Sequence, residues 1–260
     1  MRRQTLLRVV FGVLLGAGIL LGFAGASALA QESSLTLRVG VAPNNPPLIY
    51  KEGQNIAGLE ADFARKLAWA LGKEVQFVEL QFDELISALN DGRVDIIMSG
   101  MSVSEPRSLN IAFTEPYLRT GQTALIRRED SSRYLNPDEA LSTEAKVGVE
   151  RGTTGDLLVQ ERFRNAQRMV YKDPQRAVRA LKKRKIGLFV HDAPVIWWLA
   201  AENEADGLIA MSRGLTEEYL AWGVRQSDTE LLEDINYRVA LWRQDGTLGD
   251  ILRRWVPCAE

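Results

Sequence analysis

The chain has 260 residues, 32 Lys and Arg against 34 Asp and Glu, one His and one Cys, for a formal net charge of −2. Without a basic surplus or a long basic run, nucleic acid and anionic lipid are excluded as expected partners. A single Cys closes no internal disulfide, and one Cys and one His build no metal cluster, so no cofactor or metal is expected.

The first 30 residues read as a secretion signal. Arg2, Arg3 and Arg8 form a basic start, residues 9–23 are apolar, and Ala28-Leu29-Ala30 precedes Gln31. Cleavage after Ala30, with no Cys at the cut to carry a lipid, points to a periplasmic mature chain. Cleavage leaves 29 basic and 34 acidic residues, a net charge of about −5. About 230 residues are enough for a sizeable core and for two lobes.

Residues 35–42 alternate Leu37, Val39 and Val41 and predict a strand. Residues 43–47 are a Pro- and Asn-rich loop, and 48–58 a hairpin excursion with turns at Gly53 and Asn55. Leu59, Phe63, Leu67 and Leu71 recur at helical spacing up to Gly72. A strand over 75–80 and a short helix over 82–89 follow. Residues 94–98, between Gly92 and Gly100, read as a buried parallel strand. Ser104 is an expected N-cap and Pro106 fits the first helical turn. Arg107 opposes the helix dipole there, which makes sense if an anion binds beside it. A solvated surface Arg is the plainer alternative.

Residues 111–117 read as a loop and 121–127 as a strand, and the polar stretch 127–132 as the entry to a second lobe. Strands are predicted over 146–150, 169–171, 186–190 and 219–224. Helices are predicted from Gly152-Thr153-Thr154 to about Phe163, over 174–184, from His191-Asp192-Ala193-Pro194 to Ala201, over 231–244 and over 248–255. Alternating strands and helices give an α/β class with mostly parallel sheets. Four polar loops follow predicted strands: 43–45, 99–102, 152–154 and 191–192. Ligands of open α/β sheets bind at such carboxyl ends. Two loops from each half fit a cleft between two lobes.

The stretch GLEADFARKLAWALGKEVQFVELQFDELISALNDGRVDIIMSGMSVSEPR, then FTEPYLRTGQ, VGVERGTTGD and HDAPV, resembles the periplasmic amino-acid-binding proteins of ABC importers, solute-binding protein family 3. The likeness covers nearly all of the mature chain in the family's order. It implies the type II periplasmic binding protein fold: two α/β lobes joined by two hinge strands. Lobe one would hold residues 31–120 plus 219–260, and lobe two 121–218.

The resemblance also implies roles. Arg107 would clamp a ligand α-carboxylate, with Gly100, Ser102 and Ser99 beside it and Thr154 capping it from lobe two. Asp192 would pair with the α-ammonium, and Phe82 would wall the side chain. Each has a plainer reading: Asp192 as an N-cap, Ser99 and Ser102 as loop hydroxyls, Thr154 as a turn residue, Phe82 as core.

This chain departs from the family at Ala42, where many members carry an acid, and at Asn45, where an aromatic is common. Glu150 and His191 fall where some members read the side chain, although Glu150 also reads as a strand-end surface acid. A polar amino acid is the expected ligand, a membrane ABC permease the expected partner, and a monomer the expected state. The alternative is a secreted cyclohexadienyl or arogenate dehydratase on the same fold, with Glu150 or His191 as general acid.

Overall fold

The structure, a computed structural model, describes residues 35–257. The signal segment, its cleavage site and Cys258 lie outside the described residues.

The chain starts with β1 (Thr36–Val41) and a small meander of β2 (Asn44–Asn45), β3 (Ile49–Glu52) and β4 (Asn55–Ala57). Next come α1 (Leu59–Ala70), β5 (Glu74–Glu79), α2 (Leu85–Asn90), β6 (Ile96–Ile97), α3 (Glu105–Ser108) and β7 (Ala112–Phe113). The strand β8 (Leu118–Thr120) leads into a second set: β9 (Gln122–Arg127), α4 (Pro137–Leu141), β10 (Lys146–Glu150), α5 (Thr154–Arg162) and β11 (Gln167–Tyr171). That set continues with α6 (Pro174–Lys182), β12 (Leu188–Asp192), α7 (Ala193–Glu202) and β13 (Leu208–Ala210). The chain returns through β14 (Glu218–Leu220) to β15 (Gly223–Val224), α8 (Thr229–Gln244) and α9 (Thr247–Trp255).

Two five-stranded sheets result, ordered β5-β1-β6-β15-β7 and β11-β10-β12-β9-β13. In the first, β1 runs parallel to β5 and β6, and β15 is antiparallel to β6 and β7. In the second, β10 is parallel to β11 and β12, and β9 is antiparallel to β12 and β13. Between them β8 and β14 pair antiparallel, Glu218 opposite Thr120. These are two crossing strands of the kind the resemblance implies.

The period-3.6 face of α1 is why that helix forms. Leu59, Phe63 and Leu67 are all fully buried against the first sheet. Phe63 and Tyr117 each sit 5.4 Å, centroid to centroid, or slightly more from Trp222 or each other, and Trp222 is wholly enclosed. In the second sheet Val147, Val149, Leu188 and Val190 are buried, giving the near-continuous apolar runs of parallel strands covered on both faces.

Three expectations are corrected. Residues 219–224 form two strands, β14 and β15, in different sheets, because Ala221 and Trp222 carry the chain from one to the other. The polar stretch 127–132 is not an entry point. Strand β9 already belongs to the second sheet, and Arg128–Arg133 forms a 3₁₀ helix beyond it, with Arg127 paired to Asp130 at 2.7 Å. Ser104 occupies the N-cap of α3, but its side chain makes no capping bond.

Gly121 sits where β8 turns into β9. A Cβ at this position would lie 2.0 Å from the Thr216 carbonyl oxygen, a rigid backbone atom. Gly121→Ala is therefore expected to cost about 1–3 kcal/mol or more through overpacking. A lower urea midpoint at unchanged slope checks this, and an unchanged midpoint contradicts it.

Candidate functional site

The loops after β1, β6 and β10 meet between the two sheets with His191 and Asp192, which are not a loop as expected but the last residues of β12, followed directly by α7. Arg107, on the short helix α3, is 9% exposed. Its Nη1 donates to the Ser102 carbonyl at 2.7 Å, and its Nη2 reaches across to the Gly152 carbonyl at 3.0 Å. The guanidinium carbon lies 5.3 Å from the centroid of the Phe82 ring, a cation–π geometry that orients the fork. Burial pulls this guanidinium below its usual pKa, while the charges of Asp192 and Glu218 oppose the shift. Arg stays protonated nonetheless.

Asp192 sits at the N-cap position of α7, yet its side chain makes no capping bond. The carboxylate is left for the cleft: Oδ1 accepts from Gln122 Nε2 at 2.6 Å. The N-cap reading of Asp192 is thereby replaced. The helix α5 is capped instead by Thr153, whose Oγ1 accepts from Asp156 N, so the Thr154 hydroxyl is free to turn inward. It donates to Glu218 Oε2 at 2.7 Å and lies 3.3 Å from the Ser102 hydroxyl on the opposite side.

Glu150 ends β10 and is 1% exposed, so it is no surface acid. Its Oε2 meets His191 Nε2 at 2.7 Å, and its Oε1 accepts from Asn44 Nδ2 at 3.2 Å across the cleft. The other ring nitrogen, Nδ1, lies 3.4 Å from Asp192 Oδ2. Burial disfavours a charged imidazole, but bonds to and charges of Asp192 and Glu150 outweigh it and push His191 up to about 10. The Asp192 N–H also lies 2.8 Å from Nδ1, a contact that suits the neutral ring. Flanking by two carboxylates favours the imidazolium.

Of the remaining expected residues, Ser99 spends its hydroxyl on the Ala42 N–H at 2.9 Å, the plainer role considered for it. Gly100 has φ +66°, a backbone that glycine adopts at no steric cost. Its N–H donates to Glu60 Oε1 at 2.7 Å. Asn45 is buried on β2, donating to Asn44 Oδ1 while its own Oδ1 has no donor. All ten expected residues fall in or directly behind this region.

Three members were not foreseen. Gln122 bridges Asp192, Thr154 and Glu218 through one amide nitrogen. Glu218 on β14 accepts from Thr154, Gln122 and, through Oε1, Thr216 at 2.9 Å. Glu60 is wholly buried behind the loop 99–102, where it also accepts from Tyr117 OH and Trp222 Nε1. Gln122 stands in the TGQ of a motif already singled out, and Glu60 in GLEAD. Glu218 carries no sequence signal.

The polar side chains thus form one chain of contacts from Asn44 through Glu150, His191, Asp192, Gln122, Glu218 and Thr154 to Ser102, whose carbonyl holds Arg107. An open groove of about 930 Å³ lies outside it, lined by Asn44, Pro46, Tyr50, Gln81, Arg179 and Trp198 among others. Neither Arg107 nor Asp192 lines it. Asn44 belongs to both, so the groove adjoins the cluster at that residue.

Chemically, a cationic fork at one end and a carboxylate at the other suit a zwitterion, with donors for one terminus and acceptors for the other.

Comparison with known proteins agrees with the fold. The profile of bacterial extracellular solute-binding proteins, family 3, matches residues 37–257. A probable histidine-binding protein of Campylobacter jejuni is 36% identical over 173 residues, 66% of either chain. A solved mutant of ArgBP from T. maritima superposes with a TM-score of 0.80 at 30% identity, covering 87% of this chain and 97% of that one. An ancestral amino acid-binding protein, AncCDT-1, described as a precursor of cyclohexadienyl dehydratase, gives 0.79 at 28% identity, over 88% and 99%. Two sheets, two crossing strands and a cleft between them are the two-lobed arrangement of these structures. The chain belongs to the bacterial extracellular solute-binding proteins, family 3.

Proposed function

We propose that the protein is a non-enzymatic extracytoplasmic receptor that binds an α-amino acid between its lobes and delivers it to a membrane ABC permease. One observation carries the reading. Arg107 and Asp192 come from opposite halves of the chain and belong to one cluster, linked through Ser102, Thr154 and Gln122 and not by a direct bond to each other. A zwitterion bridging them would hold the halves together, so closure and binding are coupled. Arg107 would take the α-carboxylate, with Ser102 and Thr154 beside it, and Asp192 the α-ammonium. Among the described residues, lobe one comprises 35–120 with 219–257, and lobe two 121–218. The protein acts as a monomer in the periplasm after cleavage behind Ala30.

A thermal-shift screen of the mature chain against the standard amino acids tests this. A ligand that binds only the folded form raises the melting temperature, by about 2.7 kcal/mol of stabilisation at a hundred times its Kd. At least one amino acid is expected to do so, and a flat response to all of them contradicts the proposal.

The dehydratase reading rests on the likeness to AncCDT-1, itself described as an amino acid-binding protein, and on the buried Glu150–His191 contact, with either residue as general acid. Incubation with prephenate or arogenate separates the two: an aromatic product favours the enzyme, and none is expected.

A further inference from the structure

The charges in the cleft do not balance. Three carboxylates, Glu150, Asp192 and Glu218, share the contact chain described above with one guanidinium, Arg107, and one imidazole, His191. If His191 is charged, the cluster carries one surplus negative charge, and if it is neutral, two. Among the described residues no salt bridge reaches Glu218, whose oxygens rest on the neutral donors of Thr154, Gln122 and Thr216. A ligand with a neutral side chain has no net charge. Its carboxylate and ammonium would cancel Arg107 and one carboxylate and leave the surplus where Glu150 and Asp192 are buried and Glu218 half-buried, which a low-dielectric site penalises.

The acceptors are also unevenly placed. Glu150 Oε1 meets only the Asn44 amide, and Asn45, which joins the chain by donating to Asn44 Oδ1, has a buried Oδ1 with no donor. Buried acceptors of this kind are ordinarily satisfied. A donor-rich group entering there would satisfy Asn45 and neutralise the surplus charge together.

We propose that the ligand is an α-amino acid with a positively charged side chain, its cationic group received at the Glu150–Asn45 end of the cleft. This rests on the receptor reading and narrows it. It also narrows the expected polar ligand, although Ala42 stands where many members of the family carry an acid. The acid missing at the end of the first strand is made good by Glu150 from the second sheet and Glu218 from the returning hinge strand.

The experiment is a calorimetric comparison of L-arginine with L-citrulline, which has nearly the same shape without the charge, extended to L-lysine and L-glutamine. Arginine is expected to bind at least a hundredfold more tightly than citrulline. Glu150→Gln and Glu218→Gln each remove one negative charge, and at least one is expected to narrow that ratio tenfold or more. Citrulline or glutamine binding as tightly as arginine and lysine overturns this inference and leaves the receptor reading standing. A ratio that neither variant changes overturns it as well. No binding by any α-amino acid overturns both.

Discussion

Arg107→Ala is expected to weaken amino-acid binding by about a hundredfold to a thousandfold or more, the 3–5 kcal/mol cost of losing one partner of a buried charge pair. The ligand-free melting temperature should stay within a few degrees of wild type. The two effects separate because of what the side chain touches. Its fold contacts are two carbonyl oxygens, Ser102 and Gly152, and the face of Phe82. None of these is a charge, and the carboxylates nearby keep other partners, Asp192 in Gln122 and His191, and Glu218 in Thr154 and Thr216. What truncation does strand is the carboxylate of an incoming ligand, closed in beside Asp192 and Glu218 with no cation to meet it. Arg107→Lys should recover part of the loss, since it keeps the charge but not the planar fork. Calorimetry on the three proteins, with melting curves without ligand, checks both parts. Unchanged affinity in Arg107→Ala would remove Arg107 from the site.

Glu60→Ala is expected to have the largest effect on stability. This carboxylate is wholly buried and receives three donors: Gly100 N at 2.7 Å, Tyr117 OH at 2.6 Å and Trp222 Nε1 at 2.7 Å. Truncation leaves three enclosed donors without an acceptor, at about 1–3 kcal/mol each, plus a cavity beside Trp222. A chain of this size loses roughly 2–4 °C of Tm per kcal/mol, so a fall of about 10 °C or more is expected. Ligand affinity should fall too, because Glu60 fixes the loop that presents Ser102. Burial drives the Glu60 carboxyl up to about 7, against the pull of its three hydrogen bonds. A folded pKa above the unfolded value means that its stabilising contribution is complete below about 4.5 and is lost as pH rises through about 7. Glu60→Gln should flatten that decline. A melting curve unmoved by Glu60→Ala would show that these donors find other acceptors.

Much of the scaffold was legible because it rests on local periodicity. Leu37, Val39 and Val41 alternate, Leu59, Phe63 and Leu67 recur by helical turns, and both patterns bury the faces they predict. Arg107 stood out as a cation expected in the first turn of a helix, although α3 is a single turn of four residues and Arg107 falls in its last turn. Short strands were less legible: β2, β6, β7 and β15 have two residues each and exist only through their sheet partners. The split of 219–224 belongs here, since only the tertiary crossing separates β14 from β15.

The site was readable where it follows strands and hidden where it depends on the crossing. Gln122 and Glu218 meet at 3.3 Å although 96 positions separate them, and nothing local to Glu218 distinguishes it from its neighbour Glu217. Glu217 is exposed and paired with Arg119. Strand alternation turns one acid outward and the other into the cleft. Glu150 likewise looked like a surface acid until its partners His191 and Asn44 were known.

The most direct measurement is a crystal structure of the mature protein with a bound amino acid. It should show the α-carboxylate bidentate on Arg107 and the α-ammonium on Asp192, with the two lobes closed around both. A ligand lodged instead in the outer groove against Tyr50 and Trp198, touching neither charged residue, would contradict the account.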